Sequence, residues 1–371
     1  MKILSTFGTR PEAIKMAPLV RCLSQQPQIE SKVAVTAQHR EMLDQVLQLF
    51  QITPDYDLNI MRSGQTLENI TSLALRGLGQ IIAEEKPDLL LVHGDTTSTL
   101  SGALAAFYQQ VPCGHVEAGL RTADKYAPFP EEINRRLVSS LADFHFAPTA
   151  AARDNLLAEN ILAETIFLTG NTVIDALLQT VEQECSLADL GLDRVDWAKR
   201  IVLLTCHRRE NWGRPMEEIF AAVADTVRAH ADVEVIFPVH KNPLVQQAAQ
   251  EAFDTLPQVH LCQPLDYLPF CQVMKGCHLV LTDSGGLQEE APALGKPVLV
   301  LREVTERPEA IAAGTARLVG TDYRRVRGGV ALLLDDDKVY QSMAQAVNPY
   351  GDGKAAQYIT EIILGELGIR N

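Results

Sequence analysis

Two kinds of hydrophobic pattern alternate along this chain. Short apolar runs without polar alternation, such as Leu89–Val92 and Leu279–Leu281, are typical of strands buried on both faces of a parallel sheet. Longer segments between them, such as Leu67–Glu84 and Met216–Ala229, have the apolar spacing of helices. Strands that alternate with helices in this way predict a parallel, doubly wound α/β sheet.

This alternating pattern runs through the first half of the chain and then begins again. The first set of strands starts at Lys2–Phe7 and ends near Ile166–Thr169, and the second set starts at Ile201–Thr205. We interpret the mixed polar stretch at 185–199 as the link between the two sets. The length of 371 residues allows two domains. The predicted fold class is therefore α/β, with two Rossmann-like doubly wound domains that face a cleft.

The segment from Leu279 to Leu301 predicts a nucleotide site. It contains a buried strand, the turn Ser284-Gly285-Gly286, a short helix and a second strand. Glycines at a strand end let backbone N–H groups approach a ligand closely, and a helix that follows offers unpaired donors to an anion. Glu290 lies about one turn into that helix, within reach of hydroxyls attached to a bound phosphate. The alternative is an ordinary βα turn with a surface glutamate.

Composition and missing motifs narrow the function classes. A net charge of −14 argues against a broad nucleic-acid-binding surface. The seven cysteines form no C-x-x-C pair, which is typical of reduced, mostly buried thiols. We see neither an apolar segment of membrane-spanning length nor a signal-peptide pattern, so we expect a cytoplasmic protein with no membrane partner. The absence of G-x-G-x-x-G after either first strand argues against a nicotinamide or flavin dinucleotide, and there is no Walker lysine motif.

Four candidate site residues follow strands. Ligands of doubly wound sheets bind outside the carboxyl ends of the strands, a rule that selects Arg10, Asp95, Glu117 and His207. Asp95 and Glu117 end consecutive strands, so we expect them side by side. Two carboxylates with different pKa values can divide acid and base duties. The alternative for Asp95 is that it caps the helix that begins at Thr96-Thr97.

Cationic residues next to predicted helix starts indicate a binding site for an anion. Arg10 and Arg307 each precede a proline that opens a helix, where a cation costs up to about 1 kcal/mol unless an anion is bound. Lys15 adds a second charge near Arg10. The alternative is a pair of solvated arginines with glutamate partners in the same helices.

Two basic loops with a histidine and one glutamate–arginine pair supply further candidates. His207, in the basic loop after the strand at 201–205, is suited to donate to a diphosphate or to shuttle a proton, and a similar loop contains His240. Glu131 and Arg135 are spaced i,i+4, which by itself favours an exposed ion pair worth a few tenths of a kcal/mol.

Eight motifs occur in order along nearly the whole chain, and together they closely resemble the non-hydrolysing UDP-N-acetylglucosamine 2-epimerases of bacteria. They are GTRPE at 8–12, HGDTT at 93–97, HVEAGLRT at 115–122, PFPEEINR at 128–135, TGNT at 169–172, HRREN at 207–211, TDSGGLQEEAP at 282–292 and TERPE at 305–309. The resemblance implies a GT-B fold, a homodimer and reversible conversion of UDP-GlcNAc to UDP-ManNAc, without a metal or nicotinamide cofactor. It also implies that the last helix returns to the first domain, which gives domains 1–170 with 355–371 and 171–354.

The resemblance implies a mechanism as well. In that family UDP leaves C1 by anti elimination as the C2 proton is removed, and it adds back to a 2-acetamidoglucal intermediate while the opposite face of C2 is protonated. The implied proton-transfer groups are Asp95, Glu117 and Glu131, with Arg135 orienting Glu131. The implied substrate contacts are Arg10, Lys15, His207, Arg307 and Ser284-Gly285-Gly286 near the diphosphate, Glu290 at the ribose, and Leu265 with Phe270 at uracil.

One departure from the family pattern concerns activation. Some bacterial members bind a second UDP-GlcNAc as an activator through positions that match Gln38 and Gln65 here, with Arg208 and His240 as further candidates. Glu41 replaces a second glutamine of that pattern, and Gly64 replaces an arginine. A lost cation and a gained carboxylate weaken diphosphate binding, so we predict weak or absent activation. Initial rates with pure UDP-ManNAc that stay near zero until UDP-GlcNAc is added would contradict this prediction.

Two other functions fit the same sequence features. A GT-B glycosyltransferase would share the fold and the donor pocket but move the sugar to an acceptor. A regulator that binds nucleotide sugars would show no turnover. A hydrolysing epimerase would instead release free ManNAc and UDP.

Overall fold

The computed structural model describes residues 1–37, 40–62, 64–122, 124–187 and 190–368, with only the backbone of Glu41. The chain forms two compact units, one of Met1–Ala176 with Tyr350–Asn371 and the other of Leu177–Pro349. Within the described ranges, no helix combines the length and the apolar character needed to cross a membrane.

The first unit is built on a seven-stranded parallel sheet. Its spatial order is β3-β2-β1-β4-β5-β6-β7, so the strand order reverses next to β1 as in other doubly wound sheets. The strands are β1 (Lys2–Phe7), β2 (Glu30–Val35), β3 (Tyr56–Asp57), β4 (Leu89–His93), β5 (Cys113–Val116), β6 (Phe144–Ala147) and β7 (Ile166–Leu168).

Helices connect these strands and cover the sheet. They are α1 (Arg10–Ser24), α2 (Arg40–Leu49), α3 (Leu67–Glu85), α4 (Thr97–Tyr108), α5 (Glu131–Leu141), α6 (Ala150–Ala158) and α7 (Thr172–Val181), which runs into the second unit, with α15 (Ala355–Gly368) from the end of the chain. The sheet residues Leu4, Leu90 and Val92 pack with Leu78 and Ile82 of α3 in one core cluster. These central strands are buried on both faces, which explains their near-continuous apolar runs.

The second unit repeats the plan with six parallel strands. Their spatial order is β10-β9-β8-β11-β12-β13. The strands are β8 (Arg200–Thr205), β9 (Val233–Pro238), β10 (Val259–Cys262), β11 (Leu279–Thr282), β12 (Val298–Val300) and β13 (Ala316–Leu318). The helices are α8 (Arg214–Ala229), α9 (Pro243–Phe253), α10 (Tyr267–Gly276), α11 (Leu287–Glu290), α12 (Pro308–Ala312), α13 (Tyr323–Asp335) and α14 (Asp337–Ala344).

The predicted fold class is confirmed, because both units are parallel sheets that alternate with helices. The polar stretch 185–199, interpreted as a link, lies inside the second unit instead. Its Trp197 packs against α10, where a Cβ on Gly276 would come within 2.6 Å of the indole. The chain passes from the first unit to the second between residues 176 and 177 and returns between residues 349 and 350. The sequence predicted these two limits after residues 170 and 354.

The returning end of the chain is attached near the candidate site of the first unit. Asp175 accepts hydrogen bonds from the backbone N–H groups of Ala355 and Ala356, and burial raises the pKa of its carboxyl to about 6. Close by, the backbone N–H of Asn171 donates to the carbonyl of Tyr350 over 2.7 Å. Asn171 is therefore held by the returning segment while its side chain points towards the carboxyl ends of the strands.

Candidate active site

A cavity of about 580 Å³ opens at the carboxyl ends of β1, β4 and β5 in the first unit. Five of the residues predicted from sequence line it together: Arg10, Lys15, Asp95, Glu117 and Glu131. The parallel sheet explains this, because neighbouring strands that run in the same direction present their carboxyl ends at one edge. Charged side chains of both signs therefore face one small volume.

The turn from β1 into α1 is shaped around the buried carboxylate of Glu12. Its oxygens accept hydrogen bonds from the N–H groups of Gly8 and Thr9, and from the hydroxyls of Thr96 and Thr99, at 2.7–3.0 Å. Burial raises the pKa of Glu12, and these donors oppose the rise. Since Glu12 is occupied in this way, the structure does not support it as the helical partner of Arg10.

Asp95 does not cap the following helix. Thr96 is the N-cap residue of α4, and its hydroxyl accepts from the N–H of Thr99. The Asp95 carboxylate instead pairs with the guanidinium of Arg135, while the side-chain amide of Asn134 donates to the Asp95 carbonyl over 2.9 Å. Two residues of α5 thus hold the loop that presents Asp95.

The expectation that Arg135 orients Glu131 is corrected by these contacts. Arg135 contacts Asp95 and, at 3.4 Å, Glu132, rather than the residue four positions before it. Glu132 is fully buried and also binds Arg136, so it is the residue that pairs along α5. No local sequence feature distinguishes Glu132 from Glu131, because the burial of Glu132 depends on how α5 packs. Glu131 lies at the start of α5 and lines the cavity.

Glu117 is held in an unusual backbone conformation by contacts from three elements. Its φ of 64° lies in the left-handed region, which residues with a side chain rarely adopt and which is common at functional sites. Its carboxylate pairs with Lys15 of α1 and accepts a hydrogen bond of 2.8 Å from the amide of Asn171. The ring of His93 at the end of β4 lies 4.0 Å from the other carboxylate oxygen.

In the second unit, His207 is anchored by the buried Asp283. The Nδ1 atom of His207 lies 2.9 Å from Asp283 Oδ1, and Oδ2 accepts from the N–H groups of His207 and Arg208 and from the amide of Asn211. Burial tends to raise the pKa of Asp283, but His207 and these donors outweigh it and hold the pKa below its ordinary value. This carboxylate was not among the predicted site residues, although it directly follows β11.

The predicted nucleotide turn follows the same strand. The carbonyl of Ser284 accepts from Gln288, and Gly285 and Gly286 leave the backbone accessible at the end of β11. Glu290 is contacted by the hydroxyl of Tyr267 at 3.2 Å. Tyr267 was not predicted; it stands between Leu265, just before α10, and Phe270 in the first turn of that helix.

Arg307 pairs with the buried Glu289, which lies one residue before Glu290. Arg307 is the N-cap residue of α12, as its position before Pro308 predicted. The sequence suggested Glu309, in the same helix, as its alternative partner. The structure shows an ion pair between Arg307 and Glu289 of α11, so Arg307 stands beside the predicted nucleotide turn.

The four candidate activator residues fall in different places. Gln38 and the side chain of Glu41 lie outside the described residues, and the side chain of Gln65 is engaged with the backbone of Ile60 and Arg62. His240 stacks on His207, with ring centroids 6.0 Å apart, and a guanidinium nitrogen of Arg208 lies 3.7 Å from Glu306. Arg208 and His240 therefore belong to the surroundings of His207.

The described part of the chain contains no group of three or more His, Cys, Asp or Glu side chains placed to hold a metal ion. In the first unit, carboxylates and cations share a cavity, whereas in the second unit an anchored histidine accompanies a glycine turn.

Comparison with known proteins places this arrangement in a family. The family model described as UDP-N-acetylglucosamine 2-epimerase matches residues 21–364. The chain belongs to the UDP-N-acetylglucosamine 2-epimerase family. A member from Escherichia coli strain K12, named UDP-N-acetylglucosamine 2-epimerase, is 56% identical over 369 residues and is matched over 98% of each chain.

Solved structures of UDP-N-acetylglucosamine 2-epimerases share the fold. A putative family member from Listeria monocytogenes superposes with a TM-score of 0.93 at 50% identity, over 99% of this chain and 96% of its own. The Neisseria meningitidis enzyme, solved with UDP-GlcNAc bound, superposes with a TM-score of 0.87 at 47% identity, over 98% of this chain and 100% of its own. The predicted family, the GT-B type of fold and the prediction of an enzyme are confirmed.

Proposed function

We propose that this enzyme interconverts UDP-GlcNAc and UDP-ManNAc at C2 of the sugar, by anti elimination of UDP and its re-addition to a 2-acetamidoglucal. The observation that supports the reaction type most directly is the cavity of the first unit, which gathers Asp95, Glu117 and Glu131 beside Lys15 and Arg10. The family membership and the UDP-GlcNAc bound to the Neisseria relative support the substrate.

Epimerisation by this route needs proton transfer on both faces of C2. One group removes the proton while UDP departs, and another returns a proton to the opposite face, so at least two acid–base groups are required. Three carboxylates line one cavity, and their surroundings differ. Asp95 pairs with an arginine, Glu117 pairs with a lysine and an amide, and Glu131 stands at a helix start. Such differences allow one carboxyl to act as an acid while another acts as a base.

Departure of UDP places new negative charge on the β-phosphate. Cations and N–H donors that are already oriented stabilise such charge without reorganising. We assign this role to His207, Arg307 and the turn Ser284-Gly285-Gly286 in the second unit, and to Arg10 in the first. Asp283 supports it by holding the Nδ1 side of His207, so that Nε2 is the nitrogen offered to the ligand.

The nucleoside contacts are assigned to the segment around α10 and α11. Glu290 has the acceptor oxygens that ribose hydroxyls require, and the hydroxyl of Tyr267 steadies its carboxylate. Leu265 and Phe270 are half-buried apolar residues suited to the faces of uracil.

We also propose that the enzyme is a homodimer. Three large apolar side chains on α3 and α4 are exposed, namely Leu73 at 45%, Phe107 at 59% and Tyr108 at 64%. Exposed apolar surface of this kind is typical of protein interfaces. Sedimentation velocity of the wild-type protein would yield a dimer mass if this assignment is correct, and a monomer mass at micromolar concentration would contradict it.

The function is tested by following UDP-GlcNAc in D2O by proton NMR. We expect UDP-ManNAc to appear and deuterium to enter C2 of both sugars, because the C2 proton exchanges with solvent when it leaves the substrate. Sugar transfer that requires an added acceptor would support a glycosyltransferase instead. Free ManNAc with UDP would indicate a hydrolysing enzyme, and an unchanged spectrum would indicate a binding protein.

A further inference from the structure

His93 is a buried histidine whose ring has no hydrogen-bond partner among the described residues. It ends β4 on the floor of the cavity, is 97% buried, and neither of its nitrogens is hydrogen-bonded within the described part of the chain. Polar atoms in protein interiors are nearly always hydrogen-bonded, so two unpaired nitrogens in one ring call for an explanation. Both nitrogens are covered by protein atoms, so the ring acts through a neighbour rather than by touching a ligand.

Two other buried histidines of the same sheet show what a purely structural histidine does here. His115 on β5 contacts the carbonyl of Gly94 at 2.7 Å through Nε2. His145 on β6 contacts the carbonyl of Ser139 at 2.9 Å through Nε2. Each ring contacts a backbone carbonyl, in the loop after β4 for His115 and in helix α5 for His145. His93, on the neighbouring strand β4, has no such hydrogen bond to a backbone carbonyl within the described ranges.

The polar group that His93 faces is the carboxylate of Glu117. Its Nε2 atom lies 4.0 Å from Oε1, while Lys15 and Asn171 contact the other oxygen, Oε2. A movement of about 1 Å by either group would bring Nε2 and Oε1 to hydrogen-bonding distance. Lys15 and Asn171 therefore hold one carboxylate oxygen of Glu117, and the other oxygen faces the imidazole of His93.

We propose that His93 is a positioning residue for Glu117, and that its neutral ring donates the Nε2 hydrogen to Oε1 when the carboxylate closes on the substrate. This role rests on the proposed function, in which Glu117 transfers a proton at C2. The donated hydrogen bond would fix the direction of the carboxylate and favour its ionised form. Lys15 and Asn171 would hold the second oxygen at the same time.

The charges around the ring are consistent with a neutral donor. Burial lowers the pKa of His93 to about 4; Glu117 opposes this effect and Lys15 adds to it. The remaining ionisable groups near it are His115 on the neighbouring strand and the other charged residues of the cavity, Arg10, Glu12, Asp95 and Glu131. A ring that stays neutral above pH 5 offers one N–H donor and adds no charge to compete with Lys15.

The test compares His93→Phe with His93→Gln. Phenylalanine fills the space without a donor, whereas the amide of glutamine can place an N–H near the position of Nε2. We expect His93→Phe to lower kcat about ten-fold with KM within about two-fold, and to move the acidic limb of kcat/KM up by roughly 0.5–1 pH unit. His93→Gln should restore most of kcat and return the acidic limb of the kcat/KM pH profile to its wild-type position. His145→Gln, which also changes a buried histidine of this sheet, should leave the profile unchanged.

A second measurement does not depend on turnover. The carboxyl carbon of Glu117 can be titrated by NMR in protein labelled with ¹³C-glutamate and assigned with Glu117→Gln. A higher titration midpoint in His93→Phe than in wild type would support the positioning role even if the wild type proved not to be an epimerase. An unchanged midpoint with an unchanged pH profile, or a glutamine variant as impaired as the phenylalanine variant while both fold by circular dichroism, would overturn it.

Discussion

Replacement of Glu117 by glutamine is expected to lower kcat for epimerisation by about 10²–10⁴-fold, the usual contribution of a general acid–base group. Glutamine has the same shape and keeps an oxygen for the amide of Asn171, but it cannot take up or release a proton. Because it still fills its place in the cavity, KM should change by no more than a few-fold. The measurement is the initial rate at saturating UDP-GlcNAc, together with deuterium entry at C2 in D2O.

The matched control for this variant is Glu159→Gln. Glu159 is an exposed glutamate of the same unit that pairs with Arg121 at 2.7 Å, but it does not line the cavity. Loss of that ion pair tests whether a broken salt bridge alone reduces activity, and we expect a rate within about two-fold of wild type. If Glu117→Gln kept more than a tenth of the wild-type rate, Glu117 would not be a proton-transfer group.

Asp283→Asn is expected to lower both kcat/KM of the enzyme and its free energy of unfolding. The side-chain oxygen of the asparagine can replace Oδ2, which accepts from the backbone N–H groups of His207 and Arg208 and from the amide of Asn211, but its NH2 group then faces Nδ1 of His207 in place of Oδ1. The buried negative charge that strengthens these hydrogen bonds is also lost, at a cost of about 1–3 kcal/mol. Without its anchor the imidazole of His207 no longer keeps its orientation, and we expect kcat/KM to fall about 10²-fold or more. Urea unfolding and initial rates measure the two effects.

The pH dependence of this stability loss provides a further check. The pKa of Asp283 in the folded protein lies below its ordinary value of 3.8, so its carboxylate stabilises the fold above pH 3.8 and this contribution is lost as the pH falls through the lower value. The difference between wild type and Asp283→Asn should therefore be full at neutral pH and should shrink below about pH 4. A difference that grew on acidification would contradict the assigned pairing.

Asp335→Asn is a suitable control for the Asp283 variant. Asp335 also accompanies a histidine, His230, at 3.1 Å, but its side chain is 63% exposed. Water replaces a lost partner at an exposed site, so both the free energy of unfolding and the rate should stay near the wild-type values. The pair of variants separates the effect of burial from the effect of removing an aspartate beside a histidine.

The sequence predicted the elements that have strong local signals. The strand Lys2–Phe7 was predicted with the bounds that the structure has, and the helices predicted at Leu67–Glu84 and Met216–Ala229 differ from α3 and α8 by one and two residues. The two-residue strand β3 and the helices α6 and α10 were missed. β3 exists only because it pairs with β2 in the sheet, and α6 has a weak apolar periodicity, with only Ala152 and Leu156 buried. Such elements depend on packing partners that a local pattern does not contain.

The candidate site was predictable to the extent that it follows from strand ends. Asp95 and Glu117 were expected side by side, and both line one cavity. The ion-pair partners were not predictable in the same way. Spacing paired Arg135 with Glu131, but the structure pairs it with Asp95, because α5 packs beside α4 and brings Arg135 to the loop after β4.

The sequence by itself determined a doubly wound α/β protein with acidic and basic residues after its strands, since hydrophobic period and chain direction are local properties. Its ordered motifs also determined the family. Only the tertiary structure decided that Asp283 anchors His207 and that Asn171 and Lys15 hold Glu117. It also decided that His93, which has no hydrogen-bond partner in the described part of the chain, lies beside Glu117. The physical reason is that these contacts join residues from different strands and helices, whose separation in space is set by the packing of the sheet rather than by their separation along the chain.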